Sequence, residues 1–381
     1  MPSNKEHCFL VCVTQVSFIE LIGRIMQNYL IFEGKRFHYL WLRDNCQCSE
    51  CRHHSGQRLQ ETWHLNPGVS ATQSKSDIQT DSLEVTWQDG HVSLYPRSFL
   101  ELHSYDAVEA VANPVKLWAA KQLANLASYD YQQVLIDPKL KLQWLQDVTI
   151  YGVAKLHNVP IDPGTILKVV DQFGYVRNTN YGDLFEVVSV EQAENLAFTP
   201  IPLSLHTDNP YRNPVPSLQL LHCLVKADLG GVSALADGFY GAKILQKQNP
   251  EAFALLSTYK VKFRYASDDA ILEHTACMIE VDSKSEVEAI RVNNRSCAPL
   301  NIPFDLMTSF YDAYQSFMRI LQSDECKMRL TLETGELIVF DNQRVLHGRE
   351  IQAVGNRHLQ GCYADRDGLR STAALLKTKL Q

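Results

Sequence analysis

The sequence lacks any apolar run of about 18 residues, the length that a membrane-spanning helix requires. It also lacks an excess of positive charge, because 36 lysine and arginine residues stand against 43 aspartate and glutamate residues, a net charge of −7. Nucleic-acid-binding and polybasic membrane-surface proteins need such an excess, so we expect neither kind of partner. The short apolar stretch Phe9–Val13 has no small-residue cleavage signature after it, and we therefore expect no secretory signal.

Cysteine is too sparse for a secreted scaffold held together by disulfides. The chain has ten cysteines in 381 residues, and three of them lie within Cys46–Cys51. This distribution predicts a reducing, cytoplasmic environment. Internal repeats and low-complexity tracts are also absent. A hydrophobic content of 45% and a charged content of 21% are typical of a globular protein, and the length predicts two to three domains.

Turn signals and apolar spacing predict a mainly β protein with some helices. Glu33-Gly34 and Asp89-Gly90 each stand between two strand-like runs and predict hairpins. The flanking runs are Tyr29–Phe32 with Arg36–Leu42, and Leu83–Trp87 with His91–Tyr95. The polar segment 72–81 is predicted to be a loop. We therefore predict a small β domain over residues 1–104 and a second domain over residues 105–381.

The second domain begins with a helical spacing over residues 106–131. Beyond it, short apolar runs broken by Gly, Pro, Asn and Asp alternate with a few helices. This alternation predicts a β-sandwich or jelly roll with helical support, an α+β arrangement that is mainly β.

A compact cysteine cluster, Cys46-x-Cys48-x-x-Cys51, indicates a zinc site. Tetrahedral zinc needs a fourth ligand, and His91 beside the Asp89-Gly90 turn is the preferred candidate. His53, His54 and His64 are competitors for this position. Free cysteines or a redox-active pair are the alternatives, although three thiols within six residues favour zinc. Such a closed site would be structural.

Two histidines and one carboxylate indicate a second metal site. His206-x-Asp208 follows a strand-like segment, and His347 follows another. Two histidines and a carboxylate on one face of an octahedron suit non-haem Fe(II), because three positions stay open for a co-substrate and O₂. Arg357, ten residues after His347, could hold a distant carboxylate of that co-substrate. The alternative is a loop-capping histidine, a core histidine and a surface arginine.

Several segments of this chain resemble the γ-butyrobetaine hydroxylase family of Fe(II)/2-oxoglutarate dioxygenases. The resemblance extends from about Phe37 to about Ser371. It rests on FHYLWLRDNCQCSEC, LSLHTDNP, LQLLHCLV, GGVSALADGF, FDNQRVLHGRE and RHLQGCYADRD. It implies a double-stranded β-helix, the jelly-roll fold of these oxygenases, preceded by a zinc-binding β domain.

The resemblance also implies a role for individual residues. Iron would be bound by His206, Asp208 and His347, and zinc by Cys46, Cys48, Cys51 and His91. The 2-oxoglutarate residues would be Arg357, Ser233, Asn195 and Leu221. An aromatic cage for a trimethylammonium group would consist of Tyr181, Phe185, Phe198 and Tyr363, since aromatic faces attract a quaternary cation that has no N–H to donate. Core packing is the alternative role for these four aromatic residues.

The chain departs from the γ-butyrobetaine enzymes at the predicted anion end of the substrate. It has Asn209 and Tyr211 after Asp208, and Arg295 where the animal enzymes use an amide. An arginine with a hydroxyl and an amide suits a phosphonate, which has more charge and three acceptor oxygens. This pattern is similar to the branch that hydroxylates 2-(trimethylammonio)ethylphosphonate, which we therefore expect as the first-choice substrate. γ-Butyrobetaine, which would give L-carnitine, and another betaine are the alternatives.

The expected protein is thus a dioxygenase that uses Fe(II), structural Zn(II), 2-oxoglutarate and O₂, with ascorbate as a candidate reductant. Its predicted partners are a small trimethylammonium substrate and a second copy of itself in a homodimer. A non-catalytic scaffold that depends on zinc is the alternative from another class, and the intact set of iron ligands argues against it. A transcription-associated zinc module is disfavoured by the acidic net charge.

Overall fold

The computed structural model of the 381-residue chain describes residues 28–77, 81–106, 114–123, 126–188, 202–351 and 355–381. The chain divides into two compact units, Met1–Ala112 and Asn113–Gln381. Within the described residues, no helix has both the length and the apolar character that crossing a membrane requires.

The smaller unit contains a two-stranded and a three-stranded antiparallel sheet with two short helices. In chain order its elements are β1 (Tyr29–Phe32), β2 (Lys35–His38), α1 (Tyr39–Asp44), β3 (Ala71–Asp77), β4 (Ser82–Trp87), β5 (Val92–Pro96) and α2 (Arg97–Leu102). Leu83, Val85 and Trp87 alternate along β4 and are buried. They pack with Phe37 and Leu42 in the core of this unit.

Both predicted hairpins are present in this unit, but two details of the prediction are wrong. The predicted strand Arg36–Leu42 ends at His38, and α1 follows it. Phe37 and Leu42 are five residues apart, so a strand would point them to opposite faces, whereas both are fully buried in one core. Most of the predicted loop 72–81 is strand β3, which lies at a sheet edge and has exposed polar side chains.

The two largest sheets of the larger unit, with six and four strands, both contribute residues to the candidate active site. Their strands are β6 (Ser128–Asp130), β7 (Val153–His157), β8 (Phe185–Val188), β9 (Leu203–His206), β10 (Leu218–Val225), β11 (Ser233–Asp237), β16 (Lys327–Leu330), β17 (Leu337–Asp341), β18 (Val345–Arg349) and β19 (His358–Ala364). The six-stranded sheet has the order β6-β7-β17-β10-β19-β8, and the four-stranded sheet has the order β16-β11-β18-β9.

Strand β17 shows how the layers are built. Its five residues are all buried, but successive side chains point to opposite faces. Leu337 and Val339 pack against helices on one side of the six-stranded sheet. Ile338 and Phe340 point the other way and pack with residues of the four-stranded sheet. A strand that is covered on both faces therefore appears in the sequence as one continuous apolar run.

Helices cover the outer faces of both sheets. They are α3 (Tyr131–Ile136), α4 (Pro138–Tyr151), α5 (Thr165–Val170), α6 (Gly238–Gln248), α7 (Pro250–Thr258), α8 (Met307–Gln322) and α9 (Arg366–Leu380). The hairpins β12 (Val261–Ala266) with β13 (Ile271–Ala276) and β14 (Ile279–Val281) with β15 (Val287–Ile290) complete the unit. Helix α4 begins after Asp137, whose carboxylate accepts from the Lys139 and Leu140 N–H groups, and it ends at Gly152 with φ +76°.

The predicted helix over residues 106–131 is wrong in the described residues. Residues 114–119 are irregular, a short 3₁₀ turn covers Ala120–Leu123, and β6 precedes α3. Tertiary contacts hold this segment extended. The Trp118 N–H donates to Asp237 (3.0 Å), and the Trp118 indole donates to the Tyr151 carbonyl (2.7 Å).

Candidate active site

The smaller unit brings the three clustered cysteines together with His91. The His91 Nε2 atom lies 3.3 Å from Cys46 Sγ, 3.6 Å from Cys48 Sγ and 3.7 Å from Cys51 Sγ. Metal–sulfur bonds of about 2.3 Å and metal–nitrogen bonds of about 2.0 Å at a tetrahedral angle place sulfur and nitrogen about 3.5 Å apart. These four side chains therefore fit zinc without rearrangement. The competing histidines do not belong to this group in the part of the chain that the structure describes.

Local structure explains why His91 is the histidine that reaches the cysteines. Gly90 takes φ +82° in the hairpin turn, and the His91 N–H donates to Asp89 Oδ1 (3.0 Å). Burial, followed by the positive charge of Arg43, lowers the pKa of His91. Its imidazole is thus neutral at pH 7, as a metal ligand must be. Arg43, which the sequence analysis did not single out, also donates to Cys51 Sγ (3.3 Å).

In the larger unit, strand pairing brings His206, Asp208 and His347 together. His206 ends β9 and is directly opposite His347 of β18. His206 Nε2 lies 3.3 Å from Asp208 Oδ1, and His347 Nε2 lies 3.8 Å from Asp208 Oδ2. The three candidate ligand atoms all lie within 4.8 Å of one another. Gly348 allows β9 to approach, because a Cβ there would lie 2.5 Å from the Leu203 carbonyl oxygen.

The hydrogen bonds and the pKa shifts around these three residues suit a divalent metal. His206 Nδ1 lies 2.8 Å from the Ser204 carbonyl oxygen, which can only accept, so Nδ1 carries a proton and Nε2 is the nitrogen that can bind a metal. Burial lowers the pKa of His347 to about 3, so this ring is neutral. Burial opposes ionisation of Asp208, but hydrogen bonds to its carboxylate, including that of the Tyr363 hydroxyl, outweigh it and hold its pKa below the usual range. Two imidazoles and one carboxylate are the donor set of non-haem Fe(II) sites.

The loop that carries Asp208 is held by hydrogen bonds that the sequence analysis missed. Asn342 accepts from the Asp208 N–H (2.7 Å) and donates to the Asp208 and Pro216 carbonyls. The Thr207 N–H donates to the Val292 carbonyl (2.7 Å), and Asn293 donates to the Thr207 carbonyl (3.1 Å). Such side-chain-to-backbone contacts have no periodic signature in a sequence.

A cavity beside the two histidines contains most of the predicted 2-oxoglutarate residues. Arg357, Ser233 and Leu221 line it together with His206, Asp208 and His347. It also contains Arg349, which the sequence analysis missed and which is directly opposite Ser233 in the sheet. Residues 347 and 349 alternate on one strand and therefore face the same side, which is the signal that could have identified Arg349. Asn195 lies outside the described residues.

The charge of this region suits an acidic ligand. Burial lowers the pKa of Arg357. Burial, followed by the positive charges of Arg357 and Arg295, lowers the pKa of Arg349 to about 10. All three guanidinium groups are still protonated at pH 7, and Asp208 is the one acidic residue in the described lining of the cavity. Guanidinium groups such as that of Arg357 can bind a carboxylate of a ligand through two parallel hydrogen bonds.

Predicted cage residues form a row of aromatic rings next to Asp208. The ring centroids of Tyr363 and Phe185 are 5.1 Å apart, and those of Phe185 and Tyr181 are 6.4 Å apart. Tyr265 of β12, which the sequence analysis missed, continues the row at 5.9 Å from Tyr181 and 5.2 Å from Tyr211. Phe185 fits closely over Gly361, where a Cβ would lie 2.3 Å from its Cζ. Phe198 lies outside the described residues.

Residues of the predicted anion site lie at the other end of this row. The Tyr211 hydroxyl donates to Asn209 Oδ1 (2.9 Å) and lies 3.3 Å from the Tyr181 hydroxyl. Asn209 is 2% exposed, and its Nδ2 has no partner among the described residues. A buried amide without a partner indicates an acceptor on a ligand. Arg295 as a whole residue is exposed. Partial burial of its guanidinium group lowers the pKa of Arg295, whereas the negative charge of Asp208 raises it.

Comparison with known families assigns both parts of the chain. Residues 114–363 match the family described as taurine catabolism dioxygenase TauD, TfdA family. Residues 32–101 match the family described as γ-butyrobetaine hydroxylase-like, N-terminal.

Several relatives match most of the chain. The γ-butyrobetaine dioxygenase of Pseudomonas sp. (strain AK-1) is 37% identical over 348 residues, 90% of each chain. The human γ-butyrobetaine dioxygenase is 30% identical over 361 residues, 90% of this chain and 91% of the relative. The human mitochondrial trimethyllysine dioxygenase is 33% identical over 353 residues, 90% of this chain and 83% of the relative. The chain therefore belongs to the TauD/TfdA dioxygenases, with the N-terminal domain of the γ-butyrobetaine hydroxylases, and is a 2-oxoglutarate-dependent dioxygenase that uses Fe(II).

Proposed function

We propose that this enzyme hydroxylates a CH₂ group of a small trimethylammonium zwitterion, with γ-butyrobetaine as the leading substrate and L-carnitine as its product. The reaction would consume one O₂ and one 2-oxoglutarate, and it would release succinate and CO₂. The row of aromatic rings directly beside His206, Asp208 and His347 is the observation that carries the proposal. The γ-butyrobetaine dioxygenases among the relatives support it.

His206, Asp208 and His347 are the proposed Fe(II) ligands. Bound iron would activate O₂ for insertion of one oxygen atom into the substrate C–H bond. The Ser204 carbonyl accepts from Nδ1 of His206 and leaves Nε2 to bind the metal. Asn342 binds both the N–H and the carbonyl of Asp208, so the loop that carries the carboxylate is held in one conformation.

Arg357 is the proposed partner of the distant carboxylate of 2-oxoglutarate, with Ser233 and Leu221 beside it. A planar guanidinium can donate two parallel hydrogen bonds to a carboxylate. Gly231 takes φ +64°, and its Hα side lies against the Arg357 stem, where a Cβ would be 3.4 Å from Cδ. Arg349 lines the same cavity. Asn195 stays a prediction.

Tyr181, Phe185 and Tyr363 are proposed to surround the trimethylammonium group. Ring faces attract a quaternary cation by about 0.5–2 kcal/mol each, and the attraction is greater where water is excluded. Burial raises the pKa of Tyr363 and Tyr181, so both phenols are neutral at pH 7. The cage then holds one end of the substrate while the anion end is held elsewhere, which leaves a single methylene facing the metal. Phe198 stays a prediction.

Cys46, Cys48, Cys51 and His91 are the proposed ligands of a structural zinc ion. Four protein ligands would leave no open position for a substrate. This assignment gives the smaller unit, predicted over residues 1–104, a stabilising role and leaves the chemistry to the unit predicted over residues 105–381. A purely non-catalytic scaffold is wrong, since the chain is a dioxygenase. The double-stranded β-helix, the homodimer, the cytoplasmic location and the use of ascorbate stay predictions.

The second candidate substrate is 2-(trimethylammonio)ethylphosphonate, the first choice of the sequence analysis. The relatives support γ-butyrobetaine better than this phosphonate. The phosphonate stays a candidate because of one observation: the unpaired Nδ2 of buried Asn209 lies in the segment that contains Tyr211, near the charge of Arg295. A group with three acceptor oxygens and up to two charges would satisfy all three residues.

Steady-state kinetics of wild type and Arg295→Asn would separate the two substrates. Succinate and hydroxylated product are measured with γ-butyrobetaine, the phosphonate and trimethyllysine in parallel, and Arg319→Asn on the exposed face of α8 is the matched control. We expect the highest wild-type kcat/KM with γ-butyrobetaine. A higher kcat/KM with the phosphonate, together with a selective loss in Arg295→Asn of about 10- to 150-fold for one charged hydrogen bond, would transfer the assignment to the phosphonate. No product from any trimethylammonium compound would refute the proposal.

A further inference from the structure

One oxygen of the Asp208 carboxylate is held by two donors from the same sheet. Gln219 Nε2 lies 2.9 Å from Asp208 Oδ2, and the Tyr363 hydroxyl donates to the same oxygen at 3.0 Å. Gln219 and Tyr363 are directly opposite each other on β10 and β19. Their side chains therefore leave the sheet on the same face and converge on one atom.

These contacts distinguish the two oxygens of the carboxylate. A carboxylate can only accept, so the Gln219 amide must present its nitrogen and the Tyr363 phenol its proton. Two donors occupy the two lone pairs of Oδ2. Oδ1, at 3.3 Å from His206 Nε2, is the oxygen whose lone pairs stay available in the group of candidate metal ligands.

Both donors are well fixed. Gln219 is 1% exposed and Tyr363 is 4% exposed, so neither side chain is free to rotate away. The Tyr363 ring also lies against Phe185, with their centroids 5.1 Å apart and their planes tilted by 32°. Tyr363 therefore contacts the candidate metal ligand Asp208 through its hydroxyl and the row of aromatic rings through its own ring.

We propose that Gln219 and Tyr363 are positioning residues that orient Asp208 to bind the metal through Oδ1 alone. Tyr363 further connects the substrate cage to the metal site, so a substrate seated against its ring also restrains the carboxylate. This inference rests on the proposed role of Asp208 as an iron ligand and of Tyr363 as a cage ring. Hydrogen-bond partners of ligating groups generally tune metal affinity by about 10- to 100-fold.

Metal binding tests the positioning role without turnover. Zinc-loaded wild type, Tyr363→Phe and Gln219→Met are titrated with Mn(II), and free Mn(II) is followed by electron paramagnetic resonance. Mn(II) prefers imidazole and carboxylate to thiolate, so it reports on the site of Asp208. We expect each variant to bind Mn(II) about 10- to 100-fold more weakly than wild type. Tyr240→Phe on α6 is the matched control, because its hydroxyl donates to Glu325 and not to Asp208, and it should bind within twofold of wild type.

The connection to the cage is tested by how tightly 2-oxoglutarate decarboxylation is coupled to substrate hydroxylation. Tyr363→Phe keeps the ring, so the KM for γ-butyrobetaine should change less than threefold. The ratio of succinate to hydroxylated product should rise, because the carboxylate is no longer restrained when the substrate binds. Wild-type Mn(II) affinity in both folded variants would overturn the positioning role. An altered KM with an unchanged ratio would overturn the connection. Failure of the proposed substrate would appear in the wild type and leave the Mn(II) comparison intact.

Discussion

Replacing Gly361 with alanine should displace one wall of the proposed substrate cage and little else. Gly361 lies in the middle of β19, directly opposite Phe185 of β8. A Cβ at this position would lie 2.3, 2.4 and 3.0 Å from three ring atoms of Phe185. Ordinary contacts begin near 3.4 Å, so the ring must move by about 1 Å or rotate out of the row. Phe185 is partly exposed on an edge strand, which gives the ring room to move outward.

The size of the effect follows from the loss of one cation–π face. A contribution of about 0.5–2 kcal/mol corresponds to an increase of about 2- to 30-fold in the KM of the trimethylammonium substrate. The KM for 2-oxoglutarate should stay within twofold of wild type, since Arg357 and Ser233 are not displaced. Extra volume in a packed site typically costs about 1–3 kcal/mol, and the lower end is expected here because the ring can relax toward solvent.

A double-mutant cycle provides the decisive assay. The KM for substrate is measured in wild type, Gly361→Ala, Phe185→Ala and the double variant, and melting temperatures verify folding. If the clash with the ring is the cause, Gly361→Ala should add nothing in the background that lacks the ring. An equal increase in KM in both backgrounds would refute the reasoning, and so would an unchanged KM in Gly361→Ala alone.

Two further predictions concern the metal and co-substrate residues. Cys48→Ser should lose its bound zinc, as measured by elemental analysis, and the temperature of its first melting transition should fall by more than about 5 °C, because a closed metal site stabilises the fold that it crosslinks. Cys277→Ser is the matched control. Full zinc content with wild-type melting in Cys48→Ser would contradict the assignment. Arg357→Ala should raise the KM for 2-oxoglutarate at least about 30-fold, since a buried carboxylate that loses its ionic partner costs about 2–5 kcal/mol. Unchanged 2-oxoglutarate kinetics would contradict the proposed role of Arg357.

Much of the candidate site could be predicted from local sequence. Cys46, Cys48 and Cys51 lie within six residues, and the turn that presents His91 has a clear Asp-Gly signal. His206 and Asp208 are two residues apart at the end of a strand-like run. In each case a short spacing, rather than the overall fold, determines which atoms are near each other.

Residues that act from neighbouring strands could not be found in the same way. Gln219 and Tyr363 are 144 residues apart in the sequence, and only the β10–β19 register makes them neighbours. Arg349 was missed because an arginine two residues after His347 has no distinctive pattern until Ser233 is placed opposite it. Asn342, which holds the Asp208 backbone, likewise depends on a contact across 134 residues.

Wrong predictions of secondary structure have the same origin. The polar run 72–81 looks like a loop because an edge strand needs no apolar face, and pairing with β4 alone makes most of it a strand. Residues 114–123 have helical spacing, but the long-range hydrogen bonds of Trp118 hold the segment extended. Local propensity is worth a few tenths of a kcal/mol per residue, and tertiary contacts of this kind exceed it.

By itself, the sequence determined the chemical types of the ligands, the turn that presents His91, the −7 net charge and the resemblance to a family of dioxygenases. These features depend on residue identity and on spacings of a few residues, which any fold must preserve. The tertiary structure alone decided which oxygen of Asp208 is held, which arginines share a cavity, and which rings form a row beside the histidines. Those features depend on strand order and register, because a shift of one residue would turn every one of these side chains to the opposite face of its sheet.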